Sequence, residues 1–216
     1  MPQFTGVLCQ LAVEHVGMKP WAAGSHFEGV VSSIVGQSIS VAAAATTERR
    51  LYTLFNAPGV VSGRAFWPPP TAGQLAVAEV ETVRSSGVTT RRASALIEIG
   101  QRFTSGELLE PGDTGFDLLR EGDKLRTTSG VGPWTVRSAS LWGLGDPDAH
   151  PTGDVALLRA VRQRHPEVVT LRDLDRISNE WRPYRGWAAR LYWLDLLGYE
   201  AIERSQPTAE GRTTYP

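Results

Sequence analysis

Residues 125–154 read LRTTSGVGPWTVRSASLWGLGDPDAHPTGD and place a glycine pair, a tryptophan and a lone aspartate close together. Gly130 and Gly132 flank Val131, Pro133 and Trp134 follow at once, and Asp154 ends the segment. Glycine lets a backbone turn through positive φ and lets another chain come close. Proline suits the first position of a helix, so a helix opens abruptly at Pro133 with its N–H groups and positive dipole end outward. That geometry fits one phosphate. It also fits a plain turn between two helices, and Gly-x-Gly alone does not separate the two. Asp154 is double in the same way. Following Pro-Thr-Gly and opening VALLRAVRQRH, it is an ideal helix cap. A carboxylate held rigidly there can equally stabilise a developing cation or orient a water. The aromatics Trp134, Tyr184, Trp187 and Trp193 could stack a flat, electron-poor ring, or simply fill a core.

The elements that must position these residues read as short helices with clear start signals. Ser25 caps an apolar run over 26–37, Ser40 caps VAAAATTERRLYTLF, Thr71 opens a run to Gly87, and Thr89 caps RRASALIEIGQRF. Helices are also expected over 116–128 with a break near Gly122, over 154–164, from Thr170, and over 184–197. Residues 56–70 and 110–114 read as loops, and the tail 205–216 as disordered. No run alternates convincingly, so the expected fold class is all-α.

The chain has 216 residues, 41% hydrophobic and 21% charged, enough for a sizeable core. No apolar run approaches a membrane span, and no basic leader precedes an apolar core. Cys9 is the only cysteine, which excludes an internal disulfide and a four-cysteine iron–sulfur or zinc site. A reducing cytoplasm is the expected compartment. The net charge of −1 argues against a large surface that wraps nucleic acid but not against a small footprint. Only Lys19 and Lys124 are lysines. The arginines cluster at 91–92, at 159, 162 and 164, and at 182, 185 and 190, where solvated helix faces are the plain reading.

Four stretches together resemble the helix-hairpin-helix DNA glycosylase superfamily, and within it the 3-methyladenine DNA glycosylase II group. They are FEGVVSSIVGQSIS at 27–40, GVTTRRASALIEIGQRFTSGEL at 87–108, the segment at 125–154, and WRPYRGWAARLYW at 181–193. The likeness covers residues 20–200, and the third stretch is the most specific because hairpin, Trp and Asp keep the family's spacing.

The resemblance implies two helical lobes with an active cleft between them, one of residues 1–30 plus 145–204 and the other of 31–144. It implies a monofunctional enzyme of base excision repair that flips an alkylated purine, of the 3-methyladenine or 7-methylguanine type, out of damaged double-stranded DNA and hydrolyses its N-glycosidic bond. Asp154 matches the catalytic aspartate, and Trp134 and Trp193 match pocket walls, with Ser138, Phe27, Tyr184 and Trp187 as further pocket positions. Gly130, Val131, Gly132 and Thr135 would grip one phosphate. A monovalent cation without a catalytic role is expected on carbonyls near Thr128 and Gly130; no cofactor is expected. Members with lyase activity carry lysine where this chain has Trp134, so β-elimination is not expected. The chain departs from the family at Ser38, where a bulky residue usually fills the gap left by the flipped base, so Gln37 or Ile39 could substitute. It departs again at Ser138, usually aromatic, which implies a more open pocket. A minimal version without the N-terminal β-rich domain, acting as a monomer and nucleoid-associated on DNA, is expected. The rivals are a glycosylase for a neutral base such as uracil, hypoxanthine or mismatched thymine, and a non-catalytic DNA-binding module.

Overall fold

The structure is a computed structural model that describes residues 6–18 and 21–198; the tail at 205–216 lies outside them. Eleven α-helices follow in order: α1 (Gly6–Glu14), α2 (His26–Val35), α3 (Val41–Phe55), α4 (Ala72–Ala76), α5 (Val80–Arg84), α6 (Thr90–Thr104), α7 (Leu118–Leu125), α8 (Pro133–Ala139), α9 (Val155–Arg164), α10 (Leu171–Ser178) and α11 (Arg185–Leu197). A π-helical turn, Ser140–Leu144, continues α8, and a 3₁₀ turn, Asn179–Trp181, precedes α11. Helix starts are written locally. Ser25, Ser40, Thr71, Thr89, Asp154 and Thr170 each accept a backbone N–H from the first turn they cap, which satisfies a donor that the helix itself cannot.

Apolar side chains collect into two cores. One runs from Phe27 on α2 to Ala139 on α8 and includes Leu75, Leu96, Leu125 and Val131. The other joins α1 to α9, α10 and α11 through Leu11, Leu157, Leu174, Trp181 and Tyr192. Phe27 and Val30 thus already sit in the core of the middle lobe, so the chain changes lobe before His26 and not near residue 30.

The loop after α6 is more than a connector. Glu110 Oε1 accepts from Ser25 Oγ at 2.9 Å and from the Phe27 amide at 2.9 Å, while Oε2 accepts from the His26 amide at 2.6 Å. One carboxylate therefore caps α2 from across the fold, at the helix end where negative charge is favoured. On its other side α2 lies directly on the π turn. A Cβ on Gly29 would stand 2.5 Å from Gly143 Cα, so only glycine allows this approach.

Three expectations change. Residues 56–70 hold a small antiparallel hairpin, β1 (Gly59–Val61) with β2 (Arg64–Phe66), in register Val60 to Ala65. It is the one sheet among the described residues, and the fold remains essentially all-α. The run after Thr71 is two helices, not one. Leu75 and Val83, one on each side of the step at 77–79, are both fully buried. Finally, α7 runs through Gly122 without a break. That glycine is buried against α8, where a Cβ would meet Val136 Cγ1 at 3.0 Å.

Candidate active site

Asp154 stands at the junction of the two lobes. Its Oδ1 accepts the Leu157 amide at 2.6 Å and caps α9. Its Oδ2 accepts the indole N–H of Trp134, on α8 in the other lobe, at 2.7 Å. The cap reading holds, and a second contact adds to it: the cap fixes one oxygen, and the tryptophan fixes the other. Asp154 is 9% exposed, so the carboxylate is almost enclosed while each oxygen keeps lone-pair capacity. A charge fixed in such a place acts on a developing cation more strongly than it would in water.

Further aromatic contacts cross between the lobes. Trp193 on α11 stacks on Trp142 of the π turn, with ring centres 5.7 Å apart and planes at 21°. The Arg190 guanidinium lies 4.4 Å from the centre of the Trp142 ring and donates to the Leu141 carbonyl at 2.6 Å. Arg190 is 5% exposed and burial pushes its pKa down to about 10, which leaves it cationic at neutral pH. The irregular turn and the aromatic face supply part of what a buried guanidinium needs, while Nε has no hydrogen-bond partner among the described residues. Tyr184 and Trp187 stack on each other at 5.5 Å.

Two expected pocket residues take other places. Ser138 is 1% exposed and its hydroxyl lies in the packed interior, so the small residue does not open a cavity to solvent. Phe27 is a core residue, edge-on to Phe103 at 5.3 Å.

The hairpin is sharper than its glycine pattern suggests. Gly130 has φ +92°, a conformation that requires glycine. Gly132 has φ −105° and caps α8 in ordinary extended geometry. Of the pair, only Gly130 therefore uses the positive φ that glycine allows. Val131 turns its side chain into the middle-lobe core and donates its N–H to the Thr128 carbonyl at 3.1 Å, so its amide does not face a ligand. Thr135 is buried, and its hydroxyl accepts from Gln37 Nε2 at 2.8 Å.

Gln37 braces the hairpin in this structure. Its Nε2 also donates to the Gly130 carbonyl at 2.9 Å, and its own carbonyl accepts from Arg92 Nη2. The corner that follows is formed by Ser38, at φ +54°, and Ile39, 39% exposed. With Gln37 tied down and Ser38 small, Ile39 is the apolar side chain that this corner presents.

Sequence reasoning missed the base of the hairpin. Arg102, buried on α6, donates to Thr128 Oγ1 at 2.6 Å, to the Lys124 carbonyl at 3.0 Å and to Glu107 Oε1 at 2.7 Å. Thr128 in turn donates to Glu98 at 2.8 Å. No local signal marks an arginine in a helix as the anchor of a turn 26 residues on. His150 was missed as well. It is buried, with Nε2 2.9 Å from Asp175 Oδ1. Burial lowers its pKa, Asp175 opposes that, and the field of Asp154 also acts on it.

Few groups could hold a metal. Glu14, His15 and Asp195 gather donor atoms within 4.8 Å of one another. Arg164 bridges the two carboxylates, however, with contacts of 2.9 and 2.6 Å, and serves as their cation. At the hairpin, the Thr128 and Gly130 carbonyls each accept a hydrogen bond already, so a cation there would share oxygens with Val131 and Gln37.

The family model for HhH-GPD superfamily base excision DNA repair proteins matches residues 31–168, a span that takes in the hairpin, Trp134 and Asp154. The chain belongs to this superfamily. Its relatives include DNA-3-methyladenine glycosylase 2 of Escherichia coli, 28% identical over 188 residues, which are 87% of this chain and 64% of that protein. Another is the probable bifunctional transcriptional activator/DNA repair enzyme AlkA of Mycobacterium tuberculosis, 30% identical over 78% of this chain and 33% of that protein. The chain thus spans less than two thirds of the length of these relatives. Among solved structures, the 3-methyladenine DNA glycosylase of Archaeoglobus fulgidus has a TM-score of 0.71 at 24% identity, covering 88% of this chain and 64% of that one. Mag1 of Schizosaccharomyces pombe, solved with abasic DNA, also scores 0.71 at 20% identity, covering 87% and 88%. An 8-oxoguanine glycosylase/lyase of Clostridium acetobutylicum scores 0.70 at 17% identity, covering 88% and 66%, so it shares the fold.

Proposed function

We propose that this HhH-GPD protein is a DNA glycosylase of base excision repair that removes alkylated purines from double-stranded DNA without cutting the strand. The observation that carries the reading is Asp154, held by one hydrogen bond from each lobe beside the hairpin helix. The base leaves as the C1′–N bond breaks and takes the bonding electron pair, so positive charge develops on the sugar. The Asp154 carboxylate stabilises that charge, and water then adds its oxygen to C1′ and loses a proton. An alkylated purine already carries positive charge and leaves as a neutral base, so no general acid is required. Burial lowers the pKa of His150, the buried histidine whose pKa also feels the field of Asp154.

The amides of Gly130 and Gly132 grip one backbone phosphate, and Ile39 enters the gap that the flipped base leaves. Trp134 and Trp193 flank the base, with Tyr184 and Trp187 further along. Trp134 offers no amine for a Schiff base. A cation on the hairpin carbonyls would have no part in the chemistry. The protein acts as a monomer in the cytoplasm, nucleoid-associated on DNA, and needs no cofactor. The names of its 3-methyladenine glycosylase relatives support this reading.

The test is release of methylated purines from duplex DNA by the native protein and by Asp154→Asn. The native protein is expected to free them. The variant should bind DNA equally well and react on the order of 10²–10³-fold more slowly. A native protein that binds DNA yet frees no methylated purine would sink the proposal, and a borohydride-trapped covalent adduct would sink its monofunctional half.

A further inference from the structure

Beside the hairpin lies a cleft of about 190 Å³, set between the end of α2, the hairpin and the first turn of α6. Its polar lining is Gln37, Thr89, Arg91, Arg92, Ser129 and Gly130, and no carboxylate contributes. The two arginines differ. Arg92 is half-buried and spends its guanidinium on the Gln37 carbonyl, so it is part of the framework. Arg91 is exposed and pairs with no carboxylate among the described residues. Its Nε sits against the hairpin, 3.1 Å from where a Cβ on Gly130 would be. Several other arginines of the fold are committed elsewhere: Arg102 to Glu107, Arg164 to Asp195, and Arg182 and Arg185 to Asp148. An unpaired guanidinium at the mouth of an acid-free cleft is a site for an oxyanion, because its planar fork matches phosphate oxygens.

We propose that this cleft holds a second phosphate of the DNA backbone, next to the one gripped by the hairpin amides, with Arg91 as its main ligand and the Ser129 hydroxyl as a second donor. Charges recur about every 3.4 Å along each DNA strand, so the neighbour of a gripped phosphate falls within reach of an arginine side chain. The proposal rests on the DNA-binding half of the function above and not on its glycosidic step.

The experiment measures binding to undamaged duplex as a function of salt for the native protein, Arg91→Gln and Arg91→Lys. Arg91 is exposed, so equal melting temperatures are expected and serve as the folding control. The slope of log K against log salt should become shallower by about 1 in Arg91→Gln, equally for unrelated sequences, and return in Arg91→Lys. A parallel titration with inorganic phosphate, followed by the amide resonances of Ser129 and Gly130, separates a backbone phosphate from a free anion. Weak or absent binding of free phosphate together with the shallower slope supports the backbone assignment. A slope that Arg91→Gln leaves unchanged overturns it, and free phosphate binding in that case would reassign the cleft to a soluble anion. A native protein that binds no duplex would overturn both this proposal and the proposed function. Failure of base release with the slope change intact would overturn only the latter.

Discussion

Gly130 and Gly132 are glycines for different reasons. Gly130 turns the chain at φ +92°, and any side chain there is strained and crowds Arg91. Gly132 has ordinary geometry, and a Cβ there meets nothing within 4 Å. The space around Gly132 would admit a side chain, and under the proposed function that open side is where the phosphate approaches the amide. Gly130→Ala should cost about 1–2 kcal/mol of stability. Gly132→Ala should leave the unfolding midpoint in denaturant unchanged while DNA binding weakens. A Gly132→Ala protein with unaltered affinity would mean that the hairpin amides do not contact the backbone. The same contrast separates Gln37 from Ile39. Both lie at the corner, but only the glutamine is bound into the protein, through Gly130 and Thr135.

At the level of elements, the legible parts are those in which cause and consequence lie within one turn. Ser25, Ser40, Thr89 and Thr170 cap the helices they precede, and Asp154 caps α9, because a cap is a contact between neighbours in sequence. The Trp134–Asp154 pair was legible only as spacing; the hydrogen bond that joins them was not. Nor was the Glu110 clamp on α2, which spans more than 80 residues, or the Arg102 anchor of the hairpin. The step between α4 and α5 has no proline or glycine to announce it. Leu75 and Val83 lie buried on either side of it, which a continuous helix would also allow, so no residue type marks the break.

His150 carries a prediction at this scale, because it ties the loop before α9 to Asp175 on α10. Burial is the main force on its pKa and lowers it; Arg185 acts in the same direction, while Asp175 and Asp154 oppose. The folded protein therefore holds His150 neutral over a range where the unfolded chain, with a pKa of about 6.5, takes up a proton. The stability it contributes is complete above that value and is lost as the pH falls below it. Thermal melts between pH 7.5 and 5.5 should show a steeper loss for the native protein than for His150→Gln. Parallel curves would show that His150 titrates alike in both states.

For the whole molecule, the net charge of −1 is consistent with the small electrostatic footprint that the proposed function implies. Arg164, Arg182 and Arg185 are bound to carboxylates, and Arg190 is buried. About four neutralised phosphates give a slope of log K against log salt of about −3 to −4. A measured slope near −10 would require a far larger contact surface than this proposed footprint. The two-lobe plan was legible from the resemblance, but its seam was not. Only the burial of Phe27 and Val30 shows that α2 belongs wholly to the middle lobe.

The proposed catalytic carboxylate takes its hydrogen bonds from both sides of that seam, Leu157 on one and Trp134 on the other. This makes the chemistry fail-safe. If the lobes slip, Asp154 keeps its place on α9 but loses its aim, while the hairpin, anchored wholly within the middle lobe by Arg102 and Gln37, keeps its shape. A warmed or strained molecule should stop cutting before it lets go of DNA. On the proposed reading, such a protein fails by idling on its DNA, not by excising sound bases.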